Sequence, residues 1–458
     1  CEITTHALEN TKVCEVCSGQ PGTLPVLNEK AVDYAVMLSI ATDCKINYES
    51  FYDRKNYFYP DLPKGYQITQ FQTPIAENGF LTLELENGEE KKIGIERIQM
   101  EEDTGKSTHD DHSSLINLNR SGTPLVEIVG KPDLRSSKEA SDYLKKLHSI
   151  LTYLGICHGN LQEGNFRCYA DVSLREAGTT KFGTGTETKN INSFRNVEKA
   201  IEAEILRQTE ILKSGQKVIQ ATLNFDAMTG KITTLRSKAD AHDYRYFPEP
   251  DLLPLYLKVE KVELLKNNLP ELPDAKKKRF IEKYNIPAYD AAILTLEKAL
   301  ANYYEEACAL YSGPAKKVSN WIMTELLRLL NESGLIIEKS PVSATELAVL
   351  LNEVEKATIS GKMAKDVFLK MFDDKKSALQ VIKEMGLVQI TDEQSLSAVA
   401  QSIIDSSPEQ VEQFLAGKDK LFGYFVGEMM KKTKGQASPA VANKLLKQIL
   451  DIKKLEKK

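Results

Sequence analysis

The feature that most constrains this chain is a change of hydrophobic period near residue 270. Before it, apolar residues recur at two different spacings. Phe80-Leu-Thr-Leu-Glu-Leu-Glu86 alternates as a strand does, and Ile93 and Ile95 continue that period. Thr123-Pro-Leu-Val-Glu-Ile-Val129 reads as a buried strand interrupted by one charge, and Cys168, Ala170, Val172 and Leu174 share one face of another strand. Between them, Ser136 and Glu139 open a helix that Tyr143, Leu147, Ile150 and Leu154 continue and Gly155 ends. A second helix spans 196–214. Strands and helices mixed without regular alternation predict an α+β domain, not a doubly wound sheet. Beyond Asn267-Asn-Leu-Pro-Glu-Leu-Pro-Asp274 the strand signals vanish. The spans 291–311, 317–330, 343–356 and 397–404 read as amphipathic helices, and a last helix opens at Ser438 and Pro439.

A chain of 458 residues exceeds what one core serves, so several domains are expected. The boundaries fall at 1–265 for the mixed domain, 266–388 for a helical domain and 389–458 for a helical tail, the second break lying near Gly386. No run of about eighteen apolar residues occurs, which argues against a membrane span. Seven cysteines, an odd number scattered over a long chain, argue against a secreted disulfide framework and suit a reducing cytoplasm. The net charge is −5, yet from Lys418 onward eleven lysines face four acidic residues. A basic tail on an acidic body suits a phosphate backbone; a solvated helical face is the alternative.

The candidate chemistry lies in carboxylates. Glu127 stands inside an apolar strand, where a lone carboxylate must be paired, protonated or bound to a cation. Glu101-Glu102-Asp103 follows another strand, and alternation allows either Glu101 with Asp103, or Glu102 alone, to serve one site. Carboxylates converging from two strands would hold a hard cation such as Mg²⁺ beside a nucleotide; the alternative is an ion pair at a strand end. Gly105-Lys106-Ser107-Thr108 resembles the close of a phosphate-binding loop, but Met100 stands where that loop needs glycine. Two stretches, 51–64 and 243–251, are dense in aromatic, charged and rigid residues. Each is either a pocket wall, with Arg54, Lys55 and Lys64 able to meet anions, or a well-packed loop. Cys14-x-x-Cys17, with Cys1 upstream, supplies three of four ligands of a tetrahedral Zn²⁺ site, or else a redox pair or inert thiols.

Taken together, Asp53-Arg-Lys-Asn-Tyr-Phe-Tyr-Pro-Asp61, Met100-Glu-Glu-Asp103, Leu118-Asn-Arg-Ser-Gly-Thr-Pro-Leu-Val-Glu-Ile-Val129, Glu187-Thr-Lys-Asn-Ile-Asn-Ser-Phe194, Asp243-Tyr-Arg-Tyr-Phe-Pro-Glu-Pro-Asp251 and Gly423-Tyr-Phe-Val-Gly-Glu-Met-Met430 resemble the B subunits of the aspartyl/glutamyl-tRNA amidotransferases. The likeness runs through the chain in order. It implies a mixed α/β cradle domain, a helical domain and a small helical tail resembling the YqeY proteins. It implies an ATP- and Mg²⁺-dependent ligase that phosphorylates the side-chain carboxylate of Glu or Asp on a mischarged tRNA. Ammonia from the amidase A subunit then displaces the phosphate, and a small C subunit holds the A and B subunits together.

By the resemblance, Glu102 and Glu127 are metal-binding and catalytic, Lys55 and Lys64 line the active cavity, and Arg54 and Asn190 sit at the nucleotide. Cys1, Cys14 and Cys17 match part of a zinc knuckle, and Lys431, Lys432 and Lys434 match the tRNA-gripping tail. The sequence departs from the family in two places. The family opens with a strand Gly-Leu-Glu-x-His that completes the metal site, and this sequence starts after it, so a longer natural chain is expected. Where the family has Asp, Tyr169 stands here; Asp171 on the same strand face is the candidate substitute. A non-catalytic tRNA-binding subunit is the alternative function. The related E subunit carries an inserted synthetase-like domain, and no insertion of that size fits between the mixed-domain and helical motifs here.

Overall fold

In the computed structural model the described residues are 1, 7–110, 112–237, 244–387, 393–415, 418–433, 437 and 439–456. The chain divides into two compact units, Cys1–Pro273 and Asp274–Lys458.

The first unit is built on a four-stranded antiparallel sheet with strand order Lys45–Ile46, Ala76–Glu84, Glu90–Glu102, Pro124–Gly130. Leu81, Leu83, Ile93, Ile95 and Ile98 bury one face of it with Val36 and Leu38 of the helix Glu29–Ala41, and Leu147 and Ile150 of the helix Ser137–Leu154. The expected caps hold: the Ser136 hydroxyl accepts from Glu139 N at 3.1 Å, and Gly155 takes φ +71° to end the helix. Glu139 does not close a reciprocal capping box; its carboxylate accepts from Arg135 N and Lys91 Nζ, each at 2.7 Å.

One irregularity sets up the site. The pairing of Glu90–Glu102 with Pro124–Gly130 slips between Ile95 and Arg97. Such a bulge adds a residue to one strand and reverses which parity faces each side. Before it the odd positions Ile93 and Ile95 enter the core; after it the even positions Ile98 and Met100 do. Arg97, Gln99 and Glu101 are thereby turned to the opposite face.

A second sheet runs Cys168–Val172, Thr186–Ile191, Ala221–Asp226, Lys231–Ser237, with the middle pair parallel. Parallel neighbours need a crossover, which the helix Phe194–Lys213 provides, burying Val197 and Ala200 against Cys168, Ala170 and Phe225. Under it, fully buried Glu204 is held by Arg207 at 2.7 and 2.8 Å, Thr186 Oγ1 at 2.6 Å and Gln208 Nε2 at 2.8 Å. A third, short sheet joins Phe247–Pro248, Asp53–Asn56 and Tyr66–Thr69. The two aromatic stretches are thus neighbouring strands, with Arg54 opposite Phe247.

The second unit is helical. Its first core gathers residues from Phe280 to Ile382, and a separate cluster gathers residues from Leu396 to Leu450. The span 291–311, expected as one helix, is two, Ala288–Leu294 and Lys298–Leu310. Thr295 folds its hydroxyl back onto Ala291 O at 2.7 Å, and Glu297 takes an extended conformation that starts the chain afresh. The next helix carries a π-helical turn at Ile322–Leu326. Ser360 and Ser377 cap the helices Gly361–Asp374 and Ala378–Glu384. Ser438 and Asp243 lie outside the described residues, while Pro439 opens the helix Pro439–Glu456. No described helix is long and apolar enough to cross a membrane.

Candidate functional site

Register places Gln99 directly opposite Glu127, with Glu101 two residues further along the same face. The Gln99 amide nitrogen donates to both carboxylates, 2.8 Å to Glu101 Oε1 and 2.6 Å to Glu127 Oε2. Glu101 is fixed from the third sheet by Thr69 Oγ1 at 2.6 Å and Gln67 Nε2 at 3.2 Å. The strand of Glu127 is not buried on both faces, as its apolar run suggests. It is the edge of its sheet, its residues half-buried or exposed, and Glu127 itself reaches solvent. Protein atoms still crowd its carboxyl. Desolvation, and after it the charge of Glu101, hold it above the usual carboxylate range, against the pull of Lys55 and Arg97. The same two carboxylates, after burial itself, push the Tyr246 hydroxyl up to about 12.

Glu102 turns the other way. It pairs with the Lys64 ammonium, both side chains largely buried, and accepts from Ile68 N at 3.1 Å. The carboxylate that shares a face with Glu127 is therefore Glu101. Lys55 lies over the Tyr244 ring at 4.9 Å and reaches the site through the field it exerts on Glu127. Asp103 anchors the approach to the site, taking Arg120 Nε at 3.0 Å and Arg167 Nη2 at 2.7 Å.

Arg54 spends its donors on Glu249, at 2.6 and 2.8 Å, and on Asp251 at 2.7 Å. Asn190 lies in the second sheet, in the left-handed conformation with φ +64°, and donates to Asn224 Oδ1; it joins none of the contacts of the glutamate group. Asp171 faces Glu187 across the second sheet, and burial and that neighbour raise its pKa.

The sulfurs of Cys1, Cys14 and Cys17 lie within 4.8 Å of one another, a spacing that fits three thiolate ligands of a tetrahedral ion. Asn10 stitches this knuckle to the chain between the two carboxylate strands, donating to Ile116 O at 3.0 Å and accepting from Leu118 N at 2.7 Å. Asn119 Oδ1 accepts from Lys12 N, and Ser121 Oγ donates to Cys17 O, each at 3.0 Å. A Cβ on Gly122, whose φ is +74°, would sit 3.0 Å from Cys17 Sγ.

In the tail, Lys431 is 79% exposed and 3.6 Å from Glu428, and Lys432 donates to Ser402 Oγ at 3.1 Å. Lys434 lies outside the described residues.

Glu101 as the partner of Glu127, and with it Gln99, Arg97 and Tyr246, escaped assignment from the sequence. The signal was present in the apolar Ile98 and Met100, which show that the core parity has switched after Ile95.

A family model described as the GatB/GatE catalytic domain matches residues 1–263, and another described as the GatB domain matches 302–450. The chain is 50% identical over 451 residues to the B subunit of the aspartyl/glutamyl-tRNA(Asn/Gln) amidotransferase of Thermodesulfovibrio yellowstonii, covering 98% of this chain and 94% of that one. It is 49% identical to the corresponding protein of Geobacter sulfurreducens, covering 97% and 94%, and 51% identical to that of Syntrophotalea carbinolica, covering 98% and 94%. With the α+β first unit and the helical C-terminal region in the order that family requires, the chain belongs to the GatB family of amidotransferase B subunits.

Proposed function

We propose that this chain activates the side-chain carboxylate of Glu or Asp on a mischarged tRNA with ATP and passes the acyl phosphate to ammonia. The observation that carries this reading is the Gln99-bridged pair Glu101 and Glu127. Two carboxylates held side by side, one with its pKa raised by desolvation and then by the charge of the other, form a site that a divalent cation relieves of repulsion. Glu101 and Glu127 would hold Mg²⁺, with Glu102 close by on the adjoining face. The ion would neutralise the phosphoryl oxygens of ATP.

The substrate carboxylate oxygen forms a bond to the γ-phosphorus as the bond to the ADP oxygen breaks. Ammonia then forms the C–N bond, the C–O bond to phosphate breaks, and a proton is released. A carboxylate resists ammonia; an acyl phosphate accepts it because phosphate is the better leaving group. Lys55, a compact ammonium beside Glu127, offsets charge on the phosphoryl group. Lys64 holds Glu102 in place. Arg54 and Asn190 remain candidates for the nucleotide, Arg54 through positioning the strand that carries Lys55.

Ammonia is supplied by an amidase A subunit, with a C subunit completing the enzyme in the cytoplasm. Cys1, Cys14 and Cys17 hold a structural Zn²⁺ together with a fourth ligand. The tail, residues 389–458, docks tRNA through Lys431, Lys432 and Lys434, and residues 266–388 form the helical domain between.

The test is transfer of labelled phosphate from ATP to mischarged Glu-tRNA by the assembled enzyme and by its Glu127→Gln variant. Transfer by the first alone supports the reading. Transfer by neither, with tRNA still bound, leaves the non-catalytic tRNA-binding role.

A further inference from the structure

Arg97 lies on the face that the bulge turns toward the site, two residues before Gln99. It pairs with Val129 while Gln99 pairs with Glu127, so Arg97 and Glu127 are diagonal neighbours on adjacent strands. That puts their backbones about 7–8 Å apart, within reach of a long side chain. The guanidinium rests by the Phe71 ring, 5.8 Å from its centroid. Phe71 in turn stacks on Tyr246, with centroids 4.3 Å apart and planes 9° from parallel.

Four arginines of this unit have carboxylate partners: Arg54 has Glu249, Arg120 and Arg167 have Asp103, and Arg207 has Glu204. Arg97 has none among the described residues. Its Nε is sealed from solvent without an acceptor, and among the described residues no carboxylate lies within ion-pair distance of it. A buried charged donor without an acceptor costs stability. Here the aromatic ring flanks the guanidinium, and its Nη groups, which have no partner among the described residues and are not sealed as Nε is, are left to a ligand.

We propose that Arg97 receives the side-chain carboxylate of the aminoacyl group and is a specificity-determining residue. The inference rests on the amidation reading above. Three features favour a carboxylate. The planar guanidinium fork matches a carboxylate at two points, whereas a compact ammonium such as Lys55 suits a phosphoryl oxygen. Glu101 and Glu127 repel an incoming carboxylate, which therefore needs a fixed cation to settle beside them. Amidation removes the charge that Arg97 holds, so the neutral amide product is bound less tightly than the acid and leaves.

The experiment uses the assembled A, B and C subunits with Arg97→Met and Arg97→Lys. Michaelis constants are measured for Glu-tRNA(Gln) and ATP, and inhibition constants for Gln-tRNA(Gln), which lacks the carboxylate. Arg97→Met is expected to raise the Michaelis constant for Glu-tRNA(Gln) by about 10- to 100-fold, the loss of a charge-assisted pair. The constants for ATP and Gln-tRNA(Gln) stay within about twofold, and Arg97→Lys recovers part of the loss because it keeps charge without the fork. A rise in the ATP constant instead assigns Arg97 to phosphate and overturns the proposal. An equal rise for Glu-tRNA(Gln) and Gln-tRNA(Gln), or no change, overturns it as well. Filter binding of the two charged tRNAs separates the two readings. If the wild-type enzyme amidates nothing yet prefers Glu-tRNA(Gln), and Arg97→Met loses that preference, the amidation reading falls and Arg97 stands. If the wild type has no preference, Arg97 falls.

Discussion

Arg54 and Glu249, 195 residues apart in the chain, meet in a two-point ion pair, Nε to Oε2 at 2.6 Å and Nη2 to Oε1 at 2.8 Å. The Glu249 side chain is fully buried and that of Arg54 is 19% exposed, with the guanidinium 4.1 Å over the Tyr66 ring. Removing one partner leaves a buried charge uncompensated, which costs about 3–5 kcal/mol. Arg54→Met is therefore expected to lower the urea midpoint of the first unit markedly. Arg54→Lys should recover little, since an ammonium cannot reproduce the fork. Chemical denaturation followed by circular dichroism reads both.

Glu127 must be ionised to hold a cation, and burial followed by Glu101 raises its pKa. The acid limb of the pH–rate profile should lie above the usual carboxylate range. Glu101→Gln removes the like charge, so any remaining activity should have its acid limb at lower pH. Glu127→Gln should cost about 10²- to 10³-fold in phosphate transfer, the scale of losing one essential electrostatic group. An acid limb unmoved by Glu101→Gln would refute the coupling.

In the helical unit, Glu305 is clamped by Arg279 at 2.6 Å and Lys276 at 3.2 Å, and its pKa is pushed down to about 2, with the Arg279 hydrogen bond as the largest cause. A depressed carboxylate contributes stability above its unfolded-state pKa and loses it as pH falls through the folded value. The melting temperature should therefore fall more steeply between the ordinary carboxylate range and pH 2 than in Glu305→Gln. Glu305 is 25% exposed, so water screens the clamp, and its worth is on the order of 1 kcal/mol.

The cysteine knuckle predicts about one Zn²⁺ per chain by elemental analysis, lost in Cys17→Ser. Because Asn10 and Asn119 tie the knuckle to residues 116–119, hydrogen exchange at Leu118 should quicken in the variant. Protection unchanged at Leu118 would show that residues 116–119 hold without a metal in the knuckle.

Lys431→Ala with Lys432→Ala should weaken tRNA binding without altering the maximal rate of amidation. Each lost phosphate contact should also lower the salt slope of binding by about one. Gel-shift titrations at several salt concentrations read both effects.

Much of the fold could be read from the chain. The helix opened by Ser136 and closed by Gly155 carries its signals locally, as does the shift to all-helical structure past residue 267. What stayed hidden depended on pairing. The aromatic stretches look like loops because proline and charge dilute any period, yet Arg54 pairs with Phe247 as strand with strand. The glutamate facing Glu127 was legible only to the extent that the bulge was. Counting by twos from Ile93 puts Glu101 in the core, and the slip at Ile95–Arg97 takes it out. The break at Thr295 also escaped, since the apolar stripe continues through it while the backbone does not.

The pairing of Asp53–Asn56 with Phe247–Pro248 also imposes a schedule on biosynthesis. At roughly 5–20 residues per second, Glu249 leaves the ribosome about 10–40 s after Arg54. Throughout that interval the strand bearing Lys55 has only Tyr66–Thr69 beside it, while the entire second sheet is made and folds. The sheet that carries Lys55 is therefore among the last parts of the first unit to close, and a chain released early would carry Glu101 and Glu127 without the Arg54–Glu249 clamp beside them.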